Sequence, residues 1–506
     1  MRKKFIPQKE QYDCIVIGSG MGGLSSAVYL AQQGQSVLVL EQHYRAGGYA
    51  HSFKRKKYTF DSAVRIVAGA EDGGLLYRLL QEAGLENKLP FIKLDEVYKA
   101  KYPDYHFTVP SSVEGLVNVY SELFPEERHN IKALVVEMEA LYYATSKMLQ
   151  AESAFPFLSD PYVNKYNKQT FHEMVSSFIR DPKAVFMFST LWAHFGVPPT
   201  QGSAMYFSYA IMNYFKDGIY YLEGSFQKMP DVFVERIEEL GGEVCLRNEV
   251  EEIVVDEGNY AKGVRLKNGR TIEAKTIVCN GDYLKMIHNL VGIHKFPGRY
   301  IKKAERLNPS LSAFEVFLGV NMPIDKFNIG HETFIYEGYD YDDFYQKHMN
   351  LKQLGPEGLR GIAISCPSLV DRSLAPEGKH TVALTTLVPY DIGQNWKEVK
   401  PIYQDRMIEM AESLIPGLSE NLEWVESATP LTMERYTKNS FGSIYGWEQS
   451  GAQMNARPQH ETPIKGLYIS GQWTDPGGSV VSVILSGSKL AKKISKKNNK
   501  GLVKAI

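Results

Sequence analysis

Cysteine is scarce in this chain of 506 residues, which contains four. Cys14, Cys245, Cys279 and Cys366 lie far apart and form no CxxC pair or other metal-ligand spacing. Disulfide frameworks and structural zinc sites both need closely repeated cysteines, so this spacing argues against both and favours a reducing compartment. We therefore expect no bound metal.

Long apolar runs and an excess of charge of one sign are also missing. No stretch approaches the roughly 18 consecutive apolar residues that a membrane-spanning helix needs. The first residues, MRKKFIPQKEQYD, lack the apolar core of a secretory signal. The 57 Lys and Arg against 58 Asp and Glu give a formal net charge of -1, and nothing in that balance suggests binding to nucleic acid. The sequence predicts a cytoplasmic protein with no nucleic-acid partner.

Two compositional features could still bring the protein to a membrane surface. The 31 Tyr and 24 Phe are frequent between Phe155 and Phe226, and the segment KLAKKISKKNNKGLVK near the C-terminus is rich in lysine. A lysine-rich segment is either a solvated end of the chain or a surface attracted to anionic lipid. We predict peripheral contact with a membrane surface through these segments and keep the solvated end as the alternative.

The segment from Asp13 to Glu41 has the pattern of a strand, a helix and a second strand. DCIVIG and SVLVLE are apolar runs, and LSSAVYLAQQG between them repeats apolar residues at helical spacing. Gly18, Gly20 and Gly23 form the GxGxxG turn that lets a pyrophosphate approach the helix N-terminus. A carboxylate at Glu41 can accept hydrogen bonds from ribose hydroxyls and would repel a 2′-phosphate. This pattern predicts a dinucleotide site without choosing between NAD and FAD.

Four ordered segments of the chain resemble a known family. They are EQHYRAGGYAHSFKRKKYTFDSAV; YYLEGSFQKMPDVFVERIEELGGEVCLRNEVEEI; SCPSLVDRSLAPEGKH; and TPLTMERYTKNSFGSIYG with GLYISGQWTDPGGSVVSVILSG. Together they are similar to the FAD-dependent amine oxidase-like flavoproteins, and most similar to the branch of carotenoid desaturases, carotenoid isomerases and retinol saturases. The resemblance covers most of the chain and implies FAD as the cofactor.

The fold class that this resemblance implies is α/β. It consists of a Rossmann-like FAD domain of the two-dinucleotide-binding type, interleaved with an α+β substrate domain. With the 506 residues exceeding one typical core, we expect two discontinuous domains. The predicted FAD domain comprises residues 1–92, 222–305 and 425–506, and the substrate domain comprises residues 93–221 and 306–424. The substrate domain would carry the helical, aromatic-rich part that faces the membrane.

The resemblance also implies which residues touch the cofactor. Gly47 and Gly48 would lie against the pyrophosphate and ribityl chain, Arg45 would offer a cation to the phosphates, and the backbone of Val250 would pair with the adenine edge. The full predicted set is Gly18, Gly20, Met21, Gly22, Gly23, Glu41, Gln42, Arg45, Gly47, Gly48, Val64, Arg65, Val250, Gly471, Gln472, Gly478, Ser479, Val480 and Val481. In this set, backbone N–H groups at the start of a helix near Ser479 would stabilise negative charge on a reduced flavin.

The sequence departs from the family pattern at three positions. Ala63 and Ser479 stand where the family usually or frequently has glycine, and Ser225 follows Gly224 where a second glycine is usual. Arg65, which the resemblance places near the flavin ring, is an unusual charge at that position. These differences mean that a specific reaction does not transfer directly from the family.

The same scaffold supports three reactions on polyenes: desaturation by oxidised flavin, saturation by reduced flavin, and cis-trans isomerisation that depends on reduced flavin. EQHYRAGGYAHSF and LWAHFGVPP resemble the retinol saturase and carotenoid isomerase side, so we favour saturation or isomerisation of an apolar conjugated polyene, carotenoid or retinoid-like. Phytoene-type desaturation, a polyunsaturated-lipid reaction and amine oxidation remain alternatives, as do an NAD-only dehydrogenase and a non-catalytic flavin protein. The electron partner and the oligomeric state stay open.

Four residues are candidate proton donors for such a reaction: Arg65, His194, Glu315 and Asp475. Each also has an ordinary structural interpretation. His194 lies beside aromatic residues and is as well suited to a pocket wall, and Glu315 in a predicted strand could face solvent.

Overall fold

Short runs of apolar and β-branched residues form the strands of this computed structural model, which describes residues 6–151, 160–454 and 456–504. The strands are β1 (Gln11–Ile17), β2 (Val37–Glu41), β3 (Ser52–Arg55), β4 (Tyr58–Asp61), β5 (Val67–Ala68), β6 (Phe91–Lys93), β7 (Glu96–Lys101), β8 (His106–Pro110), β9 (Ile219–Leu222), β10 (Glu243–Leu246), β11 (Val250–Val255), β12 (Ala261–Leu266), β13 (Thr271–Cys279), β14 (Ser312–Val320), β15 (Glu332–Tyr336), β16 (Gly361–Ser365), β17 (His380–Val388), β18 (Leu422–Ala428) and β19 (Leu467–Ile469).

Segments with apolar residues at helical spacing form the helices. They are α1 (Met21–Gln32), α2 (Leu75–Ala83), α3 (Val113–Leu123), α4 (Arg128–Gln150), α5 (Pro161–Tyr166), α6 (Phe171–Ser176), α7 (Pro182–Met187), α8 (Ala204–Lys216), α9 (Lys228–Glu239), α10 (Tyr283–Lys285), α11 (Gly298–Ala304), α12 (Tyr341–Met349), α13 (Leu351–Leu354), α14 (Trp396–Glu412), α15 (Pro430–Thr437), α16 (Gly451–Met454) and α17 (Val480–Lys504). A 3₁₀ turn at Thr190–His194 also contributes to the site described below.

The first sheet has the strand order β10-β2-β1-β13-β12-β11, with β19 also paired to β13. The pairs among β10, β2, β1, β13 and β19 are parallel, whereas β11 and β12 are antiparallel additions. Helices α1, α9 and α17 lie beside this sheet, and α1 packs most closely on α17. This is the predicted α/β, Rossmann-like layer, and three separate stretches of the chain build it.

The second sheet has the order β18-β14-β17-β16-β15-β7-β8. All of its pairs are antiparallel except that between β7 and β15. Every residue of β14 is buried, so Glu315 in the middle of that strand does not face solvent and that interpretation is wrong. A sheet with both faces covered cannot follow the alternation of polar and apolar residues seen in half-exposed sheets.

Two of the predicted domain boundaries fall inside strands. The boundary between residues 221 and 222 lies within β9, which pairs with β5 and β6, and the boundary between residues 424 and 425 lies within β18, which pairs with β14. The strand pairing therefore places residues 425–428 with the second sheet. The division into two domains itself stays a prediction.

The structure also bears on the predictions about the compartment, a metal and a membrane. The four cysteines are free and buried, and the described residues contain no group of three or more His, Cys, Asp or Glu that could hold a metal ion. Within the same residues, no helix has the length and apolar character to cross a membrane. Phe155 lies outside the described residues. In the lysine-rich segment, Lys492 and Lys493 form ion pairs with carboxylates at 2.8 Å.

Candidate functional site

A cavity of about 630 Å³ is lined by residues of both large sheets. The predicted cofactor residues that line it are Gly18, Gly20, Met21, Gly22, Glu41, Gln42, Arg45, Gly47, Gly48, Val64, Arg65, Val250, Gly471, Gln472, Gly478, Ser479, Val480 and Val481. Gly23, the remaining predicted residue, packs under the turn. The fold brings together segments that are more than 400 residues apart in the sequence, and the binding role of each residue stays a prediction.

The glycine-rich turn between β1 and α1 has no room for side chains. A Cβ at Gly22 would lie 2.7 Å from the Cα of Gly471, and a Cβ at Gly23 would lie 2.2 Å from the carbonyl oxygen of Gly18. A Cβ at Gly20 would lie 2.8 Å from the side-chain nitrogen of Asn280, which follows β13. These contacts keep backbone at the cavity surface, at the helix end where unpaired N–H groups favour an anion.

Asn280 is a site residue that the sequence did not reveal. Its amide lies beside five of the turn and cavity glycines, and its Nδ2 donates a hydrogen bond of 3.5 Å to the carbonyl of Gly18. Asparagine after an apolar strand is a common turn signal, so this position looked ordinary. Only the parallel pairing of β13 with β1 places it next to the glycine turn.

The carboxylate of Glu41 faces the cavity and also accepts hydrogen bonds from neighbouring residues of the protein. One oxygen accepts hydrogen bonds of 2.8 Å from both the backbone N–H and the hydroxyl of Ser19, and the other accepts one of 2.7 Å from the N–H of His43. Glu41 therefore fixes the conformation of the glycine turn. A carboxylate has about four acceptor positions, so capacity remains for a ribose hydroxyl.

The glycine pair Gly47 and Gly48 packs against the turn rather than simply leaving room for a ligand. Gly47 pairs with Gly20 as a parallel bridge, and its N–H donates a hydrogen bond of 2.9 Å to the carbonyl of Ser19. A Cβ on Gly48 would lie 3.2 Å from the Cα of Gly20, and one on Gly47 would lie 2.8 Å from Pro230. The pair thus extends the backbone surface of the cavity.

Two helix N-termini point into the same cavity. Gly20 and Met21 open α1, and Ser479 and Val480 open α17. The helices are in close contact because a Cβ at Gly487 would lie 2.6 Å from the carbonyl of Gly22. Both positive dipole ends therefore favour negative charge in the cavity, as a pyrophosphate and a reduced flavin would provide.

A buried ion pair lies on the cavity wall formed by the second sheet. The guanidinium of Arg65 donates to Glu315 Oε1 at 3.2 Å and to the hydroxyl of Thr385 at 3.1 Å. Arg65 is 7% exposed and Glu315 is 2% exposed. Burial raises the pKa of Glu315 above its ordinary value, while the charge of Arg65 opposes that change. Two of the predicted catalytic residues are thus brought together and bonded to each other.

Asp61 holds the segment that carries Arg65. Its carboxylate accepts hydrogen bonds of 2.6 Å from Ser52 and Tyr221 and one of 2.9 Å from the N–H of Phe226. Its backbone carbonyl accepts a bond of 3.3 Å from Arg65. Asp61, which belongs to the family-like segment that ends in FDSAV, therefore has a structural role, because its hydrogen bonds join β4 to β9 behind the cavity wall.

Glu332 is the second site residue that sequence reasoning missed. It begins β15, lines the cavity and is 5% exposed. Burial raises its pKa to about 7, and the negative charge of Glu315 acts in the same direction, while Ser365 and Arg65 oppose the rise. In the sequence, Glu332 is a glutamate at the start of the apolar strand ETFIY. That pattern is equally typical of a strand end that faces solvent, so it did not indicate a site residue.

The two remaining catalytic candidates lie in different environments. His194 lines the cavity, where its ring is 5.2 Å from that of Phe334, and burial lowers its pKa to about 4. It is therefore neutral at physiological pH. Asp475 is not among the described residues that line the cavity; it precedes the turn leading into α17, near Arg457 and Lys489. The structure thus brings three of the four candidates together.

Two proteins of known function are similar to this chain over most of its length. The chain is 28% identical to a chloroplastic prolycopene isomerase of Daucus carota, over 96% of this chain and 80% of that protein. It is 24% identical to an all-trans-retinol 13,14-reductase of Danio rerio, over 97% of this chain and 90% of that protein.

Solved structures share the fold at low sequence identity. An oxidoreductase of Methanosarcina mazei superposes with a TM-score of 0.65 at 18% identity, covering 95% of this chain and 99% of that one. A putrescine oxidase superposes with a TM-score of 0.66 at 14% identity, covering 96% and 99%. The family model described as flavin containing amine oxidoreductase matches residues 21–495. This match spans nearly the whole chain, including both halves of the cavity, and the protein therefore belongs to the flavin-containing amine oxidoreductase family.

Proposed function

We propose that the protein binds FAD in the cavity and acts on the C=C bonds of a conjugated isoprenoid polyene. The favoured reaction is saturation or cis-trans isomerisation by the reduced flavin. The relatives named as a prolycopene isomerase and a retinol reductase support this choice of substrate class. The observation that carries the proposal is that a single cavity joins the glycine turn to an aromatic wall.

The residues around the cavity suit FAD. The turn at Gly20 and Gly22 and the start of α17 offer backbone N–H groups for the pyrophosphate and the flavin, and Glu41 and Val250 lie at the end suited to the adenosine. Arg45 also lines the cavity, although its guanidinium donates a bond of 2.6 Å to the carbonyl of Ser52. FAD, when bound, supplies the capacity to give or take a hydride.

The chain itself would bind and orient the polyene. The wall away from the glycine turn is formed by aromatic and apolar side chains, which exclude water and lie flat against an extended conjugated chain. They are Leu149, Phe195, Tyr206, Tyr209 and Tyr214. The ring of Phe195 is held 4.4 Å from that of Phe207, so this wall is fixed by packing behind it.

Anaerobic incubation with a panel of carotenoids, retinoids and polyunsaturated lipids tests the proposal. The FAD-loaded protein is used with the flavin oxidised or photoreduced, and products are followed by chromatography and absorbance. We expect a shortened conjugated system or new isomers only with reduced flavin. Lengthened conjugation with oxidised flavin would indicate a desaturase instead, and hydrogen peroxide formation with amines would indicate an amine oxidase. No change in any polyene would contradict the substrate class.

Peripheral membrane contact is part of the proposal, since an apolar polyene resides in membranes. On α4, Val136 is 64% exposed and Tyr143 is 50% exposed, seven residues apart and therefore on one face of the helix. Flotation with vesicles of anionic and of neutral lipid tests this contact. We expect binding that is weakened by Val136→Ser together with Tyr143→Ser; equal recovery of both proteins with the vesicles would contradict a role for this face.

A further inference from the structure

Glu332 is a second carboxylate that faces the cavity beside the Arg65–Glu315 ion pair. The antiparallel register of β15 and β16 places it opposite Ser365, and both residues line the cavity. On the next strands, Glu315 is opposite Thr385. The polar wall of the cavity therefore consists of two cross-strand pairs on four adjacent strands, offset by two residues because Thr385 lies opposite Ala363.

Arg65 is the cation whose charge acts on both carboxylates of this wall, Glu315 and Glu332. The guanidinium of Arg65 is bonded to Glu315 and Thr385, and no lysine, arginine or histidine of the described chain forms an ion pair with Glu332. His194, which also lines the cavity and packs against Phe334 of the same strand, is neutral. Arg65, Glu315 and Ser365 act on the charge of Glu332, and the charge of Glu332 in turn raises the pKa of Tyr214 and of Cys366.

An uncompensated carboxylate in such a wall favours its neutral form. The pKa of Glu332, raised to about 7 by burial, makes both the acid and the base available near neutral pH. A group that exchanges protons during turnover works best with a pKa close to the working pH. Glu315 meets this requirement less well than Glu332, because its Oε1 already accepts a hydrogen bond from the Arg65 guanidinium.

We infer that Glu332 exchanges a proton with a carbon of the polyene bound in this cavity. The inference rests on the proposed function. In saturation, Glu332 donates the proton that forms one C–H bond as the C=C π bond is lost, and its carboxylate regains a proton from water. The hydride for the other C–H bond, with its two electrons, would come from the reduced form of FAD when it is bound. In isomerisation, the proton adds to one carbon and returns to the same carboxylate after rotation, with no net oxidation.

The test uses the FAD-loaded protein with reduced flavin and the best polyene of the panel. Glu332→Gln keeps the shape and loses the proton, so we expect kcat to fall by at least about 100-fold with KM within about twofold. Wild-type kcat should decrease as pH rises through about 7, because the protonated form is lost. The residual activity of the variant should lack this decrease.

Glu96→Gln is the matched control. Glu96 begins β7, burial also raises its pKa, and it is not among the described residues that line the cavity. We expect its kcat and pH profile to equal those of the wild type. A measurement independent of turnover is the infrared carbonyl band of a protonated carboxyl group, recorded between about pH 5.5 and 8.5. A band that titrates near 7 should be present in the wild type and in Glu96→Gln and absent in Glu332→Gln.

Ser365→Ala provides a second variant in case Glu332→Gln fails to bind flavin. Removing the hydroxyl that lowers the pKa of Glu332 should shift the decrease in kcat to higher pH. Turnover by Glu332→Gln at the wild-type rate, or an unshifted profile in Ser365→Ala, would overturn the inference and leave the proposed function standing. Absence of polyene turnover by the wild type would overturn both.

Discussion

The two walls of the cavity use polar groups in different ways. On the side of the first sheet, backbone N–H groups of a glycine turn and of two helix ends face the cavity, and close packing leaves no room for a side chain at Gly20 or Gly22. On the side of the second sheet, Arg65, Glu315 and Glu332 place charges directly on the wall. The first wall should therefore be sensitive to added volume and insensitive to pH, and the second should be sensitive to charge and pH.

The largest effect should follow from breaking the ion pair of the second wall. Arg65→Met leaves Glu315 buried without its cation, which should lower the free energy of unfolding by about 3–5 kcal/mol. The loss should be smaller at pH 5 than at pH 8, because Glu315 can then take up a proton. Urea unfolding measures both values. The double variant Arg65→Met with Glu315→Leu should recover most of the stability, and failure to recover would show that the guanidinium acts otherwise than through Glu315.

A smaller effect should follow from adding one methyl group beneath the glycine turn of the first wall. In Gly23→Ala the new Cβ meets the carbonyl oxygen of Gly18 at 2.2 Å, and moving this backbone should cost about 1–3 kcal/mol and weaken flavin binding. The control is Gly298→Ala at the start of α11, where nothing lies within 4 Å of the added Cβ. Thermal unfolding and bound flavin absorbance check both variants. Equal stability of the two would contradict steric control of the turn.

The histidine on the cavity wall should make stability depend on pH. The pKa of His194 is lowered to about 4, so the folded protein leaves it neutral while the unfolded chain protonates it near 6.5. The contribution of neutral His194 to the free energy of unfolding is therefore fully present above about pH 6.5 and is lost as the pH falls toward 4. His194→Phe should remove roughly 1–2 kcal/mol of this loss between pH 7 and 5. Melting temperatures across this range test it, and parallel curves for variant and wild type would contradict it.

The smallest effect concerns a departure from the family pattern. Ser225 has a φ of 109°, a conformation that glycine adopts without strain. Ser225→Gly should therefore raise the free energy of unfolding by about 0.5–1 kcal/mol, as relieved strain exceeds the added chain entropy. Asn259→Gly is the comparison, because asparagine tolerates its φ of 61° and its side chain donates a bond of 3.1 Å to the carbonyl of Pro463. Destabilisation by both exchanges would show that Ser225 is not strained.

The difference between the walls also explains what could be predicted. The glycine turn, Glu41 and the α/β layer follow from local patterns, because each combines residues within one strand-turn-helix unit. The predicted role of Glu41 was incomplete, since its bonds to Ser19 and His43 depend on how the turn folds back. Asn280 and Glu332 were missed because each lies in a segment whose local pattern is ordinary.

The sequence by itself determined that a glycine-rich turn joins β1 to α1 and, through the resemblance of four segments, which cofactor to expect. Short-range backbone geometry is encoded by neighbouring residues, so glycine spacing is enough to reveal it. Only the tertiary structure decided which charges share the cavity. Arg65, between β4 and β5, and Glu315, on β14, are 250 residues apart in the chain and meet only in the folded protein, and the sheet that carries Glu315 also carries Glu332. Burial then raises the pKa of both glutamates, because a carboxyl group changes its pKa according to the charges and solvent around it and not according to its sequence neighbours.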